Sequence, residues 1–335
     1  MKTVLVTGGA GYVGAVLVPK LLRRGHRVKV LDLYLFGDHV LAEHQADPAL
    51  EQIKGDIRDQ ALLRRALSRC DAVIHLACIS NDPSFELNPE LSKSINYDAF
   101  GPLVTISKES GVQRFIYAST SSVYGVSDSE NVTEDHPLVP LTDYNKYKGL
   151  CEPILLEHES PEFTTVIIRP ATICGYSPRM RLDLSVNILT NLAVNTRRIT
   201  IFGGSQRRPN IHIEDITDLY ADLLETPSRS IAGQIFNASY QNRTIGELGD
   251  IVRAVVTREF PGLAPIAVET TATNDLRSYH VSAEKIRRTL GYAPQRTVED
   301  AVAGLCAAFR DGKIPRPLDD IRYYNVKAIQ ASKLG

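Results

Sequence analysis

Tyr144 and Lys148 stand four residues apart in Tyr144-Asn145-Lys146-Tyr147-Lys148, directly after Thr142-Asp143, a pair suited to cap a helix. On a helix that spacing puts both side chains on one face. An ammonium beside a phenol favours the phenolate and lowers its pKa from about 10. The expected product is a general base that removes a hydroxyl proton near neutral pH, worth about 10²–10⁴ in rate. Upstream, Ser119-Thr120-Ser121-Ser122-Val123-Tyr124-Gly125 sets hydroxyls just past an apolar run. That is the carboxyl end of a strand, where open α/β sheets bind ligands.

A second constellation lies at the start of the chain, in Thr7-Gly8-Gly9-Ala10-Gly11-Tyr12-Val13-Gly14. It follows an apolar run and opens a helical stretch. Gly8, Gly11 and Gly14 let the backbone turn tightly, so that N–H groups around Tyr12 and Val13 can reach a diphosphate at a helix N-terminus. Asp32 ends the second apolar run, 18 residues beyond Gly14. A carboxylate there accepts hydrogen bonds from adenosine ribose hydroxyls and repels a 2′-phosphate, by roughly 4 kcal/mol per unit charge at about 4 Å before screening. The expected cofactor is NAD rather than NADP, and its oxidised nicotinamide would lower the pKa of Tyr144 further.

The elements that must position these residues alternate. Strands are expected at Val4–Thr7, Val28–Asp32, Gln52–Gly55, Ala72–Leu76, Phe115–Ser119, Thr165–Arg169 and Gln234–Ala238. Most are apolar throughout, as strands covered on both faces are. Helices are expected near 12–24, 59–69, 90–110, 142–158, 244–258 and 282–290, with bends at Pro19 and Pro153. Such alternation predicts an α/β fold with a doubly wound parallel sheet. The texture changes after Arg169-Pro170. The division expected is a cofactor domain over 1–169, rejoined by parts of 200–240, and a smaller, mainly substrate-binding lobe over 170–335. The segment from Tyr323 onward carries no signal.

Composition limits the function classes. With 335 residues, 38 Lys plus Arg against 39 Asp plus Glu, and 43% hydrophobic residues, the chain reads as globular, without the basic excess of a nucleic-acid binder. The five cysteines are scattered without a C-x-x-C pair, which argues against a disulfide framework or a structural zinc site, and no metal is expected. No apolar run reaches about 20 residues, so no membrane span and a cytoplasmic location are expected. Cys78, Cys174, His75 and His212 are expected to fill or satisfy the core.

Together the motifs resemble the extended short-chain dehydrogenase/reductases, specifically the nucleotide-sugar epimerase/dehydratase family. The resemblance rests on TGGAGYVG at 7–14, GDIRD at 55–59, HLA at 75–77, STSSVYG at 119–125, YNKYK at 144–148, RPATICG at 169–175, GGSQRRPNIHIED at 203–215 and DLRSYHVSAEKIRRTLGY at 275–292. It implies a Rossmann cofactor domain and a homodimer built on the 90–110 and 142–158 helices. It implies that Thr120 holds the reacting hydroxyl, Tyr144 takes its proton, and Lys148 binds the nicotinamide ribose. Asp56 and Ile57 match residues around the adenine, and Leu76 and Ala77 the backbone near diphosphate and ribose. Asn187, Arg208 and Arg277 match positions that hold the substrate's diphosphate, with Ser121 and Ser122 beside the sugar.

The departures bear on the reaction. Family 4,6-dehydratases usually carry Asp-Glu after the catalytic Thr, and decarboxylases a Glu where Ser122 stands. Without an added acid–base group, the chemistry expected is hydride transfer at C4 of a nucleotide-diphosphate sugar: an NAD-dependent C4 epimerase working through a transient 4-keto sugar. The alternative is a nucleotide-sugar 4-dehydrogenase that releases the ketone, with a GDP-heptose as one candidate substrate, since Cys78–Glu86 is similar to enzymes of surface heptose pathways. A third class is a cofactor-binding regulator without turnover, which the Tyr144–Lys148 pair argues against.

Overall fold

The computed structural model describes residues 1–335 except 128, 130, 274–277 and 333–335. Its centre is a seven-stranded parallel sheet in the order β10-β6-β5-β4-β1-β2-β3. The strands are β1 (Thr3–Thr7), β2 (Arg27–Asp32), β3 (Leu50–Lys54), β4 (Ala72–His75), β5 (Arg114–Ala118), β6 (Thr164–Pro170) and β10 (Gln234–Ala238). The doubly wound Rossmann architecture is the one expected. Every expected strand exists within two residues of its predicted bounds.

Period-two alternation explains why both faces are apolar. Val4, Val6, Val28, Val30, Ile74, Ile116, Val166 and Ile168 point to one face, where they meet helix α1 (Gly14–Arg23) and helix α8 (Ile213–Glu225). Leu5, Leu31, Val73, Phe115, Tyr117 and Ile167 point to the other. There they meet α2 (Gln60–Leu67), α5 (Phe100–Glu109) and α6 (Asp143–Leu156). Both α1 and α6 run through their prolines, Pro19 and Pro153, instead of ending there.

The helix expected over 90–110 is two helices. Short turns α3 (Asp82–Phe85) and α4 (Pro89–Lys93) lead into a π-helical turn at Ser94–Asp98 before α5. The π turn carries Asn96 inward. Its Oδ1 accepts from Ile79 N–H at 2.8 Å and its Nδ2 donates to the Ile79 carbonyl at 2.9 Å. That clamp fixes the loop after β4.

The remaining elements build a second body over the carboxyl ends of the sheet. They include β7 (Thr172–Cys174), α7 (Ser185–Thr196), β8 (Arg198–Phe202), β9 (Arg207–His212), β11 (Gln241–Thr244) and β12 (Ala267–Thr271). β7, β9 and β11 form one small sheet, and β8 pairs with β12 in another. Beneath them α7 packs with helices Ile245–Glu259 and Val298–Arg310. No described helix is long and apolar enough to cross a membrane.

Candidate active site

β1 and β4 are neighbours, yet the chain leaves β1 for β2 on the opposite side. This switch point opens a crevice at the strands' carboxyl ends. Gly8 follows β1 and Leu76-Ala77 follow β4, so the two loops meet there. Gly8 has φ +73°, and a Cβ on it would lie 2.7 Å from the Ala77 nitrogen. A Cβ on Gly14 would lie 2.5 Å from the Gly9 backbone. Both positions therefore require glycine.

The crevice is a cavity of about 650 Å³. Gly8, Gly11, Tyr12, Val13, Gly14, Asp32, Asp56, Ile57, Leu76 and Ala77 all line it, as do Thr120, Ser121, Ser122, Tyr144, Lys148 and Arg208. Asn187 does not reach it. That side chain is fully buried, accepts from Gly175 N–H at 3.0 Å, and donates to the Tyr12 hydroxyl at 3.1 Å and the Arg181 carbonyl at 2.9 Å. Both its N–H groups are consumed, so Asn187 is a strut joining the glycine turn to the second body, contrary to the substrate contact expected of it. Arg277 lies outside the described residues.

Asp32 braces the glycine turn: one oxygen accepts from Ala10 N–H at 2.9 Å, the other from Tyr34 N–H at 2.8 Å. Burial raises its pKa, and those two amides oppose the rise. Burial raises the pKa of Asp56, but the Arg58 side chain at 2.7 Å, the Arg58 N–H at 2.8 Å and the guanidinium charge together hold it low. The Tyr12 phenol donates to the Gly175 carbonyl at 2.6 Å, so this residue faces the cavity while its hydroxyl is engaged elsewhere.

The Thr120 turn is fixed from below. Thr120 Oγ1 accepts from Ser122 N–H at 3.1 Å. Its neighbour Ser119 donates to Glu152 Oε1 at 2.6 Å, and Glu152 pairs with Arg169 at 2.6 Å, both buried. Arg169 also donates to the Tyr124 hydroxyl at 2.7 Å. Two buried charges thus satisfy each other and hold both ends of the turn.

Tyr144 departs from the charge environment expected of it. Lys148 Nζ donates to the Ala118 carbonyl at 2.5 Å and sits 4.8 Å from the centre of the Tyr117 ring. The phenol of Tyr144 is pushed well up, first by burial and then by Cys78 and Asp82; Arg181 and the Asn81 N–H act the other way. The main cation acting on it is Arg181, from the second body, rather than Lys148. Cys78, expected in the core, is half-buried and lines the cavity; Asp82 lines it too. Thr142 donates to Asp82 Oδ1 at 2.5 Å, and Asn145 donates to it at 3.4 Å. Two titratable groups therefore accompany Tyr144 where none was expected beyond the Thr120 turn. The same loop holds Asn81 at φ +75°, a backbone state uncommon outside glycine.

His75 is core-satisfied as expected. It shares a hydrogen bond of 2.7 Å with Thr7 Oγ1 and stacks on Tyr117. Burial lowers its pKa to about 3. Cys174 is buried, and His212 accepts from Glu214 N–H at 3.1 Å to cap α8.

Two arginines complete the cavity. Arg181 donates to Asp183 at 2.9 Å and to Ser80 Oγ at 3.1 Å. Arg179 stacks 3.6 Å over the Phe36 ring, and burial lowers its pKa to about 9. Its Nε has no hydrogen-bond partner. A glycine turn whose closest approach tolerates no side chain, a ribose-side carboxylate and a buried guanidinium with a spare donor together suit a dinucleotide with its diphosphate.

Comparison with known proteins gives the same direction. The sequence profile of the "NAD dependent epimerase/dehydratase family" matches residues 4–239. UDP-glucose 4-epimerase of Lactobacillus helveticus is 27% identical, over 90% of this chain and 94% of its own. UDP-glucuronic acid decarboxylase 1 of Arabidopsis thaliana is also 27% identical, over 92% of this chain and 70% of its own. The crystal structure of DesIV, a dTDP-glucose 4,6-dehydratase from Streptomyces venezuelae with NAD bound, superposes with TM-score 0.83 at 27% identity, covering 95% of this chain and 100% of that one.

Proposed function

The chain belongs to the NAD-dependent epimerase/dehydratase family, and from that premise we propose that it is a nucleotide-sugar C4 epimerase. The observation that carries this reading is the meeting of Tyr144, Thr120 and Lys148 with the glycine turn and with Arg208 on one cavity. Bound NAD supplies the hydride acceptor and donor. The turn at Gly8, Gly11 and Gly14 cradles its diphosphate through amides around Tyr12 and Val13. Asp32 holds the adenosine ribose, Asp56 and Ile57 the adenine, Leu76 and Ala77 the strand ends, and Lys148 the nicotinamide ribose.

Thr120 Oγ1 orients the sugar 4-hydroxyl, and the Tyr144 oxygen takes its proton and later returns it. Of this chain's own groups, Arg181 and the Asn81 N–H favour the phenolate that this step needs. Ser121 and Ser122 border the sugar, and Arg208 faces the substrate diphosphate, for which a guanidinium fork is suited. The cofactor half spans 1–169 with α8 and β10, and the rest of 170–335 covers the substrate. Exposed Leu138, Val139, Leu141 and Leu150, along and before α6, support a homodimer through that helix.

The test is incubation with a panel of nucleotide sugars, UDP-glucose among them, followed by absorbance of reduced cofactor and NMR of the sugar. An epimer without lasting NADH is expected, and Tyr144→Phe should lose turnover while keeping its melting profile. Unchanged conversion by that variant would refute the mechanism. The Cys78–Glu86 loop, which borders the cavity, favours one second reading: a 4-dehydrogenase acting on a GDP-heptose, which would accumulate NADH and stall.

A further inference from the structure

Asn325 lies in a segment with no sequence signal, yet it is buried and lines the cavity. It bonds three residues on two separate pieces of chain. Its N–H donates to Asp183 Oδ2 at 3.0 Å, its Nδ2 donates to Ser80 Oγ at 2.9 Å, and its Oδ1 accepts from Arg179 Nη2 at 2.5 Å. Ser80 belongs to the loop after β4, whereas Arg179 and Asp183 belong to the second body. One side chain therefore bridges both walls of the crevice. Neighbouring residues anchor it. Leu182 N–H donates to the Tyr323 carbonyl at 2.9 Å, and the Tyr324 hydroxyl donates to the Pro317 carbonyl at 2.7 Å. Ile329 joins the apolar layer of α2 and α5.

What Asn325 holds is a buried cation that no described carboxylate contacts directly. Arg179 makes no salt bridge among the described residues, and its Nε–H is buried and unpartnered. Besides burial, it feels Arg181 and Asp183 beside it and then Asp32 and Tyr12, and the last two put it across from the glycine turn. A buried guanidinium with a spare donor at that place calls for an anion.

We propose that Asn325 is a positioning residue: it aims Arg179 at the dinucleotide diphosphate and, by tying Ser80 to Asp183, clasps the crevice so that the cofactor stays bound through turnover. This rests on the NAD-dependent reading above and deepens it, because a reaction that returns its hydride must retain the reduced cofactor.

The test measures NAD dissociation and affinity in the full chain without any sugar, with uridine diphosphate as the second probe. Asn325→Ala should release NAD at least about tenfold faster, the loss of one hydrogen bond to a charged group, while uridine diphosphate affinity shifts less than threefold. Ser80→Ala cuts the clasp from the other wall, removing the bonds that both Asn325 and Arg181 make to its hydroxyl, and leaves the Arg179–Asn325 bond intact. It should move NAD release in the same direction by less, and it carries the test if Asn325→Ala does not fold. NAD release within twofold of wild type in the folded variants overturns the proposal, as does weakening of uridine diphosphate alone. Since no sugar is present, the clasp and the epimerase reading can fail separately: a chain that forms no epimer can still show the clasp, and an active epimerase can still lack it.

Discussion

Replacing Glu152 by Leu should cost far more than its single position suggests. Glu152 and Arg169 are each 3% exposed at the side chain and paired at 2.6 Å, with a second bond from Arg169 Nε to Glu152 Oε1 at 3.0 Å. Removing the carboxylate leaves a buried guanidinium whose remaining partners among the described residues are the Tyr124 hydroxyl and the Glu134 carbonyl. The expected loss is about 3–5 kcal/mol, a large part of the roughly 5–15 kcal/mol that holds a typical fold. Urea unfolding followed by circular dichroism reads it. The double variant Glu152→Leu/Arg169→Met removes both charges together, so most of that loss should return, giving a coupling of about 2–3 kcal/mol. Turnover should not return with it. Ser119 loses the acceptor it bonds at 2.6 Å, Tyr124 loses its donor, and these two residues bracket Thr120. A displaced Thr120 should keep kcat at least about tenfold below wild type. A single variant that loses less than about 1 kcal/mol, or a double variant as unstable as the sum of the singles, would refute the reasoning.

Asp32→Asn should raise NADP affinity relative to NAD by at least about tenfold. The ratio of the two dissociation constants cancels any cost to the glycine turn, and an unchanged ratio would count against the ribose role. His75 makes folding acid-sensitive. Its folded pKa is lowered to about 3 from 6.5. Between those values the unfolded chain binds the extra proton, so stability falls as pH drops from 6.5. In His75→Gln, the slope of unfolding free energy against pH should be shallower by up to about 1.4 kcal/mol per pH unit in that window; parallel slopes would contradict this. Among the cysteines, Cys78 should react first with iodoacetamide, and NAD should protect it. The other four are buried, and burial raises their thiols to about 11 or 12. Mass spectrometry that finds any of those four labelled ahead of Cys78 would refute the assignment of Cys78 to the cavity.

The parts of the site that were legible in the sequence share one property: they lie at fixed offsets from a regular element. Gly8 to Gly14 sit between β1 and α1, Asp32 ends β2, Leu76 and Ala77 follow β4, and Tyr144 and Lys148 open α6. Strand alternation and turn chemistry act over a few residues, so spacing alone reports them. Asn187 shows the limit. Its motif position points to substrate, but an amide has only two N–H groups, and the Tyr12 hydroxyl and Arg181 carbonyl take both. Which partner an amide finds is decided by packing between two bodies, and local sequence holds no record of that.

Asp82, Cys78 and Asn325 were illegible for the same reason. Asp82 and Cys78 belong to a loop whose path is set by Asn96, carried inward on a π-helical turn within a stretch that reads as one continuous helix. Asn325 reaches the cavity only because Ile329 packs under the sheet and Tyr323 pairs with Leu182. The consequence for chemistry is direct. The pairing of Tyr144 with Lys148 on one helix face is a local inference and gives the shared face correctly. The charge that acts on the phenol is a nonlocal quantity, set by burial, Cys78, Asp82 and Arg181. Asp82→Asn should therefore lower the Tyr144 pKa and extend activity toward lower pH, since removing a neighbouring negative charge favours the phenolate. An unmoved acidic limb of the pH–rate profile in that variant would show that Asp82 does not act on the base.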